Sequence, residues 1–412
     1  MHKLTLTLLA AATSAAALSA QQPAGTAPEP QPVQWKELTR KGLPIKFYGF
    51  FRFDVHYNSA RMDSAVIATR VLPETKRNDD QLSFDPRLTR FGVELTPVKT
   101  GESTVTGKLE IDFANFPTGP AESRATPRIR LAYLDVAEGQ YGLRVGQDWD
   151  LISPLMPAVN GEMLMWNAGN LGDRRAQIQG RYGSAPKFDK GEWELKVALG
   201  HTGAVNNEDL DSTAGERDGF DSGVPHLQFR LATKPFEPVE KKVAEIGVWG
   251  LFGRTETDTA FNGEKRFDTW VGGVDIVVPV AASLTLRSEL WTGENLGDVR
   301  GGIGQTINTA TGEEIASSGG WAELVYAYTQ KTRFHLGATL DDPKNDDLST
   351  TLANANRRRN QSAYVGSVVD WDSGVRTGLD LTYWQTEYAG ADGTNGNSGN
   401  AVRVDLWFQF DF

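Results

Sequence analysis

The chain has 412 residues, no cysteine and a formal net charge of -11 at pH 7. An exported chain without cysteine has no disulfide framework, and an acidic chain lacks the basic face that nucleic acid requires. The mean hydropathy is -0.39. Beyond the first segment no stretch approaches the roughly 18 apolar residues that a spanning helix needs, so the sequence predicts no transmembrane helix.

The first segment predicts a secretory signal. Lys3 supplies a short positive region, Leu4 begins an Ala-rich apolar run that ends at Leu18, and small residues lead to Gln21. This order is typical of a signal peptide that is cleaved near Ser19 or Ala20. The alternative, a helix of the mature protein, is disfavoured because the run is short for spanning a membrane. We therefore expect residues 1–20 to be a signal peptide.

A short Pro- and Gln-rich segment follows and carries no strand or helix pattern. Residues 21–43 include the run QQPAGTAPEPQPVQ. Such a composition favours an extended, flexible chain over a packed element. We expect a periplasmic lead-in, with a partner-binding arm as the alternative. The remaining residues, 44–412, are predicted to form one folded unit.

The first strand signal begins after Pro44. In residues 45–57 most odd positions are apolar, whereas the even positions carry Arg52, Asp54 and His56. Successive side chains of a strand point to opposite faces, so this alternation indicates one apolar and one hydrated face. It recurs at residues 91–95, 104–113, 128–133, 177–182, 192–199, 226–231, 269–278, 284–290, 333–340 and 376–383, and further strands fit near Tyr141, Ile246, Leu324 and Val365. In one segment, Ile129, Leu131 and Tyr133 are expected to oppose Arg128 and Arg130.

The number and pattern of these segments predict the fold. A spanning protein without apolar helices must be a closed barrel, because unpaired backbone amides in lipid cost several kcal/mol each. We predict an all-β fold, a transmembrane antiparallel barrel of about 16 strands with a water-filled lumen, inserted in the lipid bilayer of the outer membrane.

The predicted connections alternate in length, as they do in outer-membrane barrels. Pro97–Gly101 and Asp372–Gly374 are short turns and are expected to be periplasmic. Longer polar stretches are expected to be extracellular loops: residues 60–83, 203–223, 297–320, 341–360 and 389–400.

One long connection does not fit this pattern. Residues 145–176 contain Pro154 and Pro157, which exclude a regular central strand, and a compact apolar set: Trp149, Met156, Met163, Met165 and Trp166. The stretch is too long for a hairpin turn and too apolar for a solvated loop. We predict a loop folded into the barrel that narrows the pore, since irregular backbone is allowed where protein buries it. An external loop that packs on itself or on a subunit interface is the alternative.

The chain ends on a strand with aromatic residues at every second position. Phe408, Phe410 and the terminal Phe412 alternate with Gln409 and Asp411. This ending resembles the C-terminal sorting strand of bacterial outer-membrane proteins, which the assembly machinery of that membrane engages. A soluble sandwich has little reason to end on an exposed aromatic ring, because a frayed terminus buries it poorly.

Several segments together resemble a known family. The strand IKFYGFFRFDVHY, the segment RLTRFGVELTP, the strand RIRLAYLDV and the following GQDWDLISP resemble the DcaP-like porins of Gram-negative bacteria and, more distantly, the trimeric 16-stranded porins. The similarity is densest from about Ile45 to Arg181 and returns at the C-terminal strand. It implies a homotrimer, an inward constriction loop and passage of small, often anionic, solutes. The Pro-rich lead-in lacks the heptads of the coiled-coil arm that some members carry.

Charged residues on the predicted hydrated faces are the candidate site. The pore-lining and constriction candidates are Arg52, Arg90, Arg128, Arg130, Arg144, Arg175, Glu110, Asp112, Asp148 and Asp150. Clustered guanidinium groups suit carboxylate or phosphate solutes, and rings of charge bias ion traffic. We therefore expect a porin for small polar solutes with a mild anion preference. The alternative is that these arginines only neutralise lumen carboxylates as structural pairs.

Other functions are weakly supported. No Gly-x-Ser-x-Gly elbow, HExxH motif or Cys–His spacing occurs, so an outer-membrane lipase or protease lacks a motif. A gated receptor would need a plug domain before the barrel, and a non-conducting structural barrel or a soluble sandwich remains open. Asp341, Asp342, Asp346 and Asp347 could offer oxygen ligands to a divalent cation, but the EF-hand pattern is absent. We predict no cofactor, no metal site and no catalytic residue.

Overall fold

The computed structural model describes residues 45–74, 79–115, 125–160, 163–184, 190–205, 208–211, 217–349, 356–390 and 395–412. The predicted signal peptide, residues 1–20, and the predicted lead-in, residues 21–43, lie outside the described residues.

Sixteen antiparallel barrel strands are described, and each pairs with the next along the chain. They are β1 (Ile45–Asn58), β2 (Gln81–Asp85 and Arg90–Thr100), β3 (Ser103–Asp112), β4 (Arg128–Glu138), β5 (Tyr141–Trp149), β6 (Arg174–Gly183), β7 (Trp193–Gly200), β8 (His226–Thr233), β9 (Glu245–Phe261), β10 (Glu264–Ala281), β11 (Leu284–Glu294), β12 (Ala316–Ala327), β13 (Thr332–Pro343), β14 (Arg357–Asp370), β15 (Val375–Ala389) and β16 (Asn395–Asp411).

β2 counts as one strand although it has two segments. Both segments pair with β1, and the interruption lies between Asp85 and Arg90. Pro86, which has no backbone N–H, falls in this interruption, and its carbonyl accepts a hydrogen bond of 3.1 Å from Thr89 N. A proline in a barrel wall is confined to such irregular positions because it cannot donate to the ladder.

The sheet closes between its first and last strands. β16 pairs with β1 in a register that runs from Phe50 opposite Asp411 to Asn58 opposite Arg403. Gly49 and Phe412 then exchange two backbone hydrogen bonds of 3.3 and 3.1 Å. A Cβ at Gly49 would lie 2.3 Å from the backbone carbonyl oxygen of Arg90, so the position needs glycine. Closure removes every edge, and the predicted closed 16-stranded barrel is confirmed.

The barrel has its apolar side chains outside and its charged side chains inside. On β1, Phe51 is 55% exposed, whereas its neighbour Arg52 is 6% and Asp54 is 0% exposed. This arrangement is the reverse of that in a soluble protein, where apolar side chains are buried. It also holds for β6, β7, β8, β13 and β15, where the predicted apolar and polar faces are confirmed.

The alternation breaks in β4, where one prediction is wrong. The register with β3 shifts between Glu110 and Ile111, so β4 carries a bulge after Arg130. Beyond the bulge Leu134 is 58% exposed on the outer face, and Leu131 is buried. Tyr133 therefore lies on the inner face with Asp135 instead of facing outward with Ile129. An extra residue in one strand exchanges the two faces from that point on.

The connections separate by length at the two ends of the barrel. Two-residue turns join β2 to β3 and β4 to β5 at the end where β1 begins. Pro97–Thr100 belongs to β2 and not to the predicted turn, which is only Gly101 and Glu102. The longest connections, including residues 59–80, 150–173, 201–225 and 295–315, lie at the other end. This separation has exceptions: residues 234–244 lie at the end with the short turns, and the two-residue turn 262–263 lies at the end with the long loops.

Helical structure in the described residues is short. It consists of α1 (Asp218–Asp221) and four single-turn 3-10 helices, Gly297–Val299, Gly302–Gly304, Asn345–Asp347 and Asp372–Gly374.

Within the described part of the chain, no helix is long and apolar enough to cross a membrane.

Candidate functional site

The connection between β5 and β6, residues 150–173, crosses the lumen; we call it the inward loop. Its backbone N–H groups donate to carboxylates on the far wall: Leu155 N to Glu289 Oε1 at 2.7 Å, Ala158 N to Glu323 Oε2 at 2.8 Å and Asn160 N to Asp380 Oδ2 at 2.9 Å. These acceptors lie on β11, β12 and β15. The wall therefore holds the loop by its main chain.

The inward loop also meets the wall through close backbone contact. Gly169 has a φ of +122°, and a Cβ there would lie 2.3 Å from the carbonyl oxygen of Gly320 on β12. The carbonyl of Gly169 accepts a hydrogen bond of 2.7 Å from Trp291 Nε1. Only glycine fits this backbone conformation and this distance. The loop is therefore pressed against the wall.

Two apolar clusters join the inward loop to two other loops. In the first, Met163 and Met165 pack with Met62 and Val71 of loop 59–80 and with Trp384 of β15. In the second, the loop packs with loop 295–315 and with inward side chains of β9 to β11: Ile152, Leu171, Trp249, Leu251, Val271, Trp291, Leu296 and Val299. Three loops thus fill one side of the lumen, and the predicted inward fold is confirmed.

Arg175 on β6 is the polar centre of this packing. Its guanidinium binds Asp150 of the inward loop at 2.7 and 3.0 Å and the side chain of Asp298, in loop 295–315, at 2.7 Å. It also donates to the carbonyl of His201 at 2.9 Å. Its side chain has no exposed area. The sequence placed Arg175 and Asp150 on the pore lining, whereas the structure places both inside an anchor between loops.

Arginines of β2 and β4 surround two carboxylates of β3. Arg128 binds Asp112 at 2.9 and 2.8 Å. Arg130 binds both carboxylates, Glu110 at 2.9 Å and Asp112 at 2.7 Å. Arg90 of β2 lies 3.5 Å from Glu110. The predicted cationic and acidic residues are therefore neighbours, with Asp112 completely buried and the Arg128 side chain 26% exposed.

Arg144 of β5 is fixed from three sides. It binds Asp135 of β4 at 2.9 Å and Asp148 of its own strand at 2.5 Å. Its guanidinium carbon also lies 4.1 Å from the ring centroid of Tyr133, a cation–π distance. The β4 bulge places Tyr133 there. The tip of Arg144 consequently has one orientation in the lumen.

Arg52 on β1 contacts the inward loop at Asn160. It binds Asp54 at 2.8 Å, lies 4.7 Å from the ring centroid of Trp407 on β16, and donates to the side chain of Asn160. Asn160 Nδ2 also donates to Asp54 at 3.4 Å. Arg52 is therefore buried beneath the tip of the loop and does not line open water.

The C-terminal aromatic residues lie on the outer face. Phe408 and Phe410 are exposed there. The Phe412 ring lies 5.3 Å from Phe51 and 6.0 Å from Phe91, between centroids. The predicted sorting residues therefore form the outer seam between the last strand and the first two.

The described residues contain no group of three or more His, Cys, Asp or Glu side chains placed to hold a metal ion. Of the acidic residues considered for a cation, Asp341 accepts bonds from Ile303 N and Ser317, Asp342 pairs with Arg359, and Asp347 pairs with Lys344.

Sequence reasoning missed the residues that hold the inward loop. Glu289 and Asp380 were visible as polar positions opposite apolar ones, but that pattern does not say what they bind. Glu323 and Asp298 gave no signal, because the groups through which they hold the loop, Ala158 N and Arg175, lie more than a hundred positions away in the sequence.

Comparison with known proteins gives a fold and no family. No protein-family model matches this chain, and no curated protein matches it. The solved outer-membrane channel DcaP of Acinetobacter baumannii matches with a TM-score of 0.69 and 16% sequence identity, over 89% of this chain and 97% of that chain.

Two further solved structures show the same architecture at greater distance. OprB of Pseudomonas putida, in its high-pH structure, matches with a TM-score of 0.56 and 11% identity, over 90% of this chain and 94% of that chain. OmpT, an outer membrane protein of Vibrio cholerae solved in a trimer form, matches with a TM-score of 0.53 and 10% identity, over 89% and 99%. The chain therefore has a porin-type barrel fold like that of DcaP, as the sequence predicts.

Proposed function

We propose that this chain is an outer-membrane porin whose water-filled passage runs along the inner faces of β3 to β7. Three loops occupy the opposite side of the lumen, where the two apolar clusters lie. Five basic side chains along β3 to β7 are partly exposed: Lys108, Arg128, Arg144, Arg181 and Lys196. Small polar solutes are expected to pass along β3 to β7, where the wall carries hydrated charges, because the packed loops close the other side of the lumen.

The passage is proposed to prefer anions mildly, although the chain is acidic. The observation that carries this proposal is the unequal exposure of ion-pair partners. The Arg128 side chain is 26% exposed against 0% for Asp112, and the Arg144 side chain is 25% exposed against 11% for Asp135. A passing solute therefore contacts the exposed guanidinium groups, because their carboxylate partners are less accessible from the lumen.

The exposure is not unequal everywhere along the lumen. Glu94 is more exposed than its partner Lys108. At the end with the short turns, Arg333 and Asp370 are equally accessible, at 38% and 33%. Those parts of the wall offset the arginines, which is why the proposed preference is mild.

Reversal potentials in a KCl gradient across planar bilayers test the preference. We expect chloride to be more permeant than potassium in the native channel. Arg128→Gln and Arg144→Gln should each lower the chloride-to-potassium permeability ratio about twofold, and the double variant should bring it to one or below. Arg254→Gln, on the outer face of β9, is the matched control. Cation selectivity of the native channel, or a ratio that the double variant leaves unchanged, would refute the anion preference.

We also propose that the barrel assembles as a homotrimer and that the assembly machinery recognises its C-terminal strand. The trimer form of OmpT shows that this architecture associates in threes, and the exposed Phe408 and Phe410 are available for recognition. Light scattering with detergent subtraction tests the first point. A monodisperse monomer in mild detergent would count against it.

An enzymatic role is the other class considered, and the geometry favours it less. Among the described residues two histidines lie within hydrogen-bond distance of a carboxylate, His56 at 2.5 Å from Asp405 and His335 at 2.6 Å from Asp380. Both pairs are buried in the wall, and among the described residues neither histidine has a serine or threonine hydroxyl as a hydrogen-bond partner. A nucleophile–base pair needs that contact.

A further inference from the structure

The inward loop and the end of β5 line a small, partly open cavity. Its volume is about 140 Å³, and its lining is mainly apolar: Trp149, Ile152, Pro154, Met156, Leu164 and Trp166. An apolar cavity of about 150 Å³ holds a benzene molecule. The cavity therefore has the size and the surface that suit one small ring.

Three polar side chains of this cavity already have hydrogen-bond partners. Ser153 Oγ lies 2.9 Å from Asn170 Oδ1, and Asn170 donates to the carbonyl of Leu164 at 2.6 Å. Asp150 is held by Arg175. The indole N–H of Trp166 is buried and has no hydrogen-bond partner among the residues that the structure describes. A buried donor without an acceptor is costly, so a ligand with one acceptor atom would gain by meeting it.

The two indoles of the cavity are held in place by charged groups. Arg174 lies 4.7 Å from the Trp149 ring centroid, and Arg300 lies 4.5 Å from that of Trp166. Asp173 binds both arginines, at 3.2 and 2.8 Å. One carboxylate thus links the two stacked pairs. The rings are preorganised, which lowers the entropy cost of placing a flat ligand against them.

We propose that this cavity binds an uncharged single-ring aromatic solute with one hydrogen-bond acceptor, phenol being the simplest example. The tryptophan rings offer aromatic contact, and the Trp166 N–H offers the donor. An anionic ring is disfavoured because burying its charge in this mainly apolar lining costs desolvation free energy. The proposal rests on the proposed channel only in that the solute reaches the loop through the hydrated lumen.

The test uses the protein labelled with 5-fluorotryptophan in lipid nanodiscs and titrated with phenol. The chain has eleven tryptophans, so fluorine resonances of Trp149 and Trp166, assigned with single Phe substitutions, report on the cavity while the other nine report on nonspecific partitioning. We expect saturable shifts confined to those two. Trp166→Phe should weaken binding about fivefold by removing the donor, as judged from the Trp149 resonance.

Two cavity-filling variants, Met156→Trp and Leu164→Phe, are made separately so that misfolding of one leaves the other informative. Each should abolish the saturable shift, and benzoate should bind more weakly than phenol. Shifts spread over all tryptophans, binding that survives both fillings, or tighter binding of benzoate would overturn the proposal. Ion conductance is measured on the same samples. A channel that conducts without binding phenol refutes only the cavity, and one that binds without conducting refutes only the channel.

Discussion

The backbone N–H of Ala158 donates a hydrogen bond of 2.8 Å to Glu323 Oε2 across the lumen. The same carboxylate accepts a bond of 3.0 Å from the Tyr364 hydroxyl and pairs with Arg287. The barrel wall therefore binds the loop through the main-chain nitrogen of Ala158. Such a contact fixes the position of the loop while leaving the side chain at that position free to vary.

Weakening the neighbouring anchor should loosen the loop without unfolding the barrel. Glu289 accepts from Ser153, from Leu155 N at 2.7 Å and from Trp321 Nε1 at 3.1 Å. In Glu289→Gln one carboxylate oxygen becomes an amide donor that faces these donors, at a cost of about 1–3 kcal/mol. We expect more frequent conductance substates in single-channel recordings. Glu194→Gln, a wall carboxylate paired with Lys196, is the control, and equal noise in both variants would contradict the anchoring role.

Tyr133 should act as a positioning residue for Arg144. Tyr133→Leu removes the ring that lies 4.1 Å from the guanidinium, an interaction of about 0.5–2 kcal/mol. The freed side chain should lower the chloride-to-potassium permeability ratio with little change in conductance. Tyr133→Phe keeps the ring and should retain the native ratio. If Phe and Leu variants shift the reversal potential alike, the stacking has no such role.

The terminal ring should contribute to barrel closure. Phe412 contacts Phe51 and Phe91 on the outer seam, and Phe412→Ala should lose about 0.5–1.5 kcal/mol for each of these aromatic pairs. We expect a smaller folded fraction in the outer membrane, measured by the mobility difference between heated and unheated samples. Phe252→Ala, an exposed ring on β9, is the control. Equal folded fractions for the two variants would be evidence against the seam.

The loop that carries α1 should open more readily as pH rises. Burial, with the carboxylates of Glu208, Asp211 and Asp209 nearby, raises the pKa of Asp218 to about 7. Because the folded pKa lies above the ordinary value, the closed loop binds more protons than the open one, and its stability falls as pH rises from about 4 to about 7 and stays low above that.

Limited proteolysis of the loop at residues 201–225 measures this effect. Cleavage should be faster at pH 8 than at pH 5 in the native chain. Asp218→Asn cannot ionise and should lose most of that difference while keeping an acceptor for Leu210 N. An unchanged pH dependence in the variant would assign the effect to other carboxylates.

The sequence predicts the barrel because every strand must place apolar side chains on its lipid-facing side and polar side chains on the other. Phe51 must face lipid and Arg52 must not, and this alternation is visible without knowing the neighbours of either residue. Tyr133 shows where such reasoning fails. A single bulge after Arg130 reverses the faces of β4, and no local pattern marks it.

The candidate site was less predictable, since its contacts join distant parts of the chain. Arg128, Arg144 and Arg175 look alike in the sequence, as inward arginines on adjacent strands. Only the fold separates the partly exposed Arg128 and Arg144 from Arg175, whose partner Asp298 is 123 positions away. Neither its burial nor its role as an anchor follows from local periodicity.

The bond between Arg175 and Asp298 also bears on how the channel is made. Arg175 belongs to the sixth strand, and Asp298 follows the eleventh. An assembly intermediate in which the sixth strand is folded and the eleventh is not would contain the arginine without the acid that secures it. Narrowing of the bore is therefore expected only once both halves of the wall are in place, and an incomplete cylinder would be wider and leakier than the mature one.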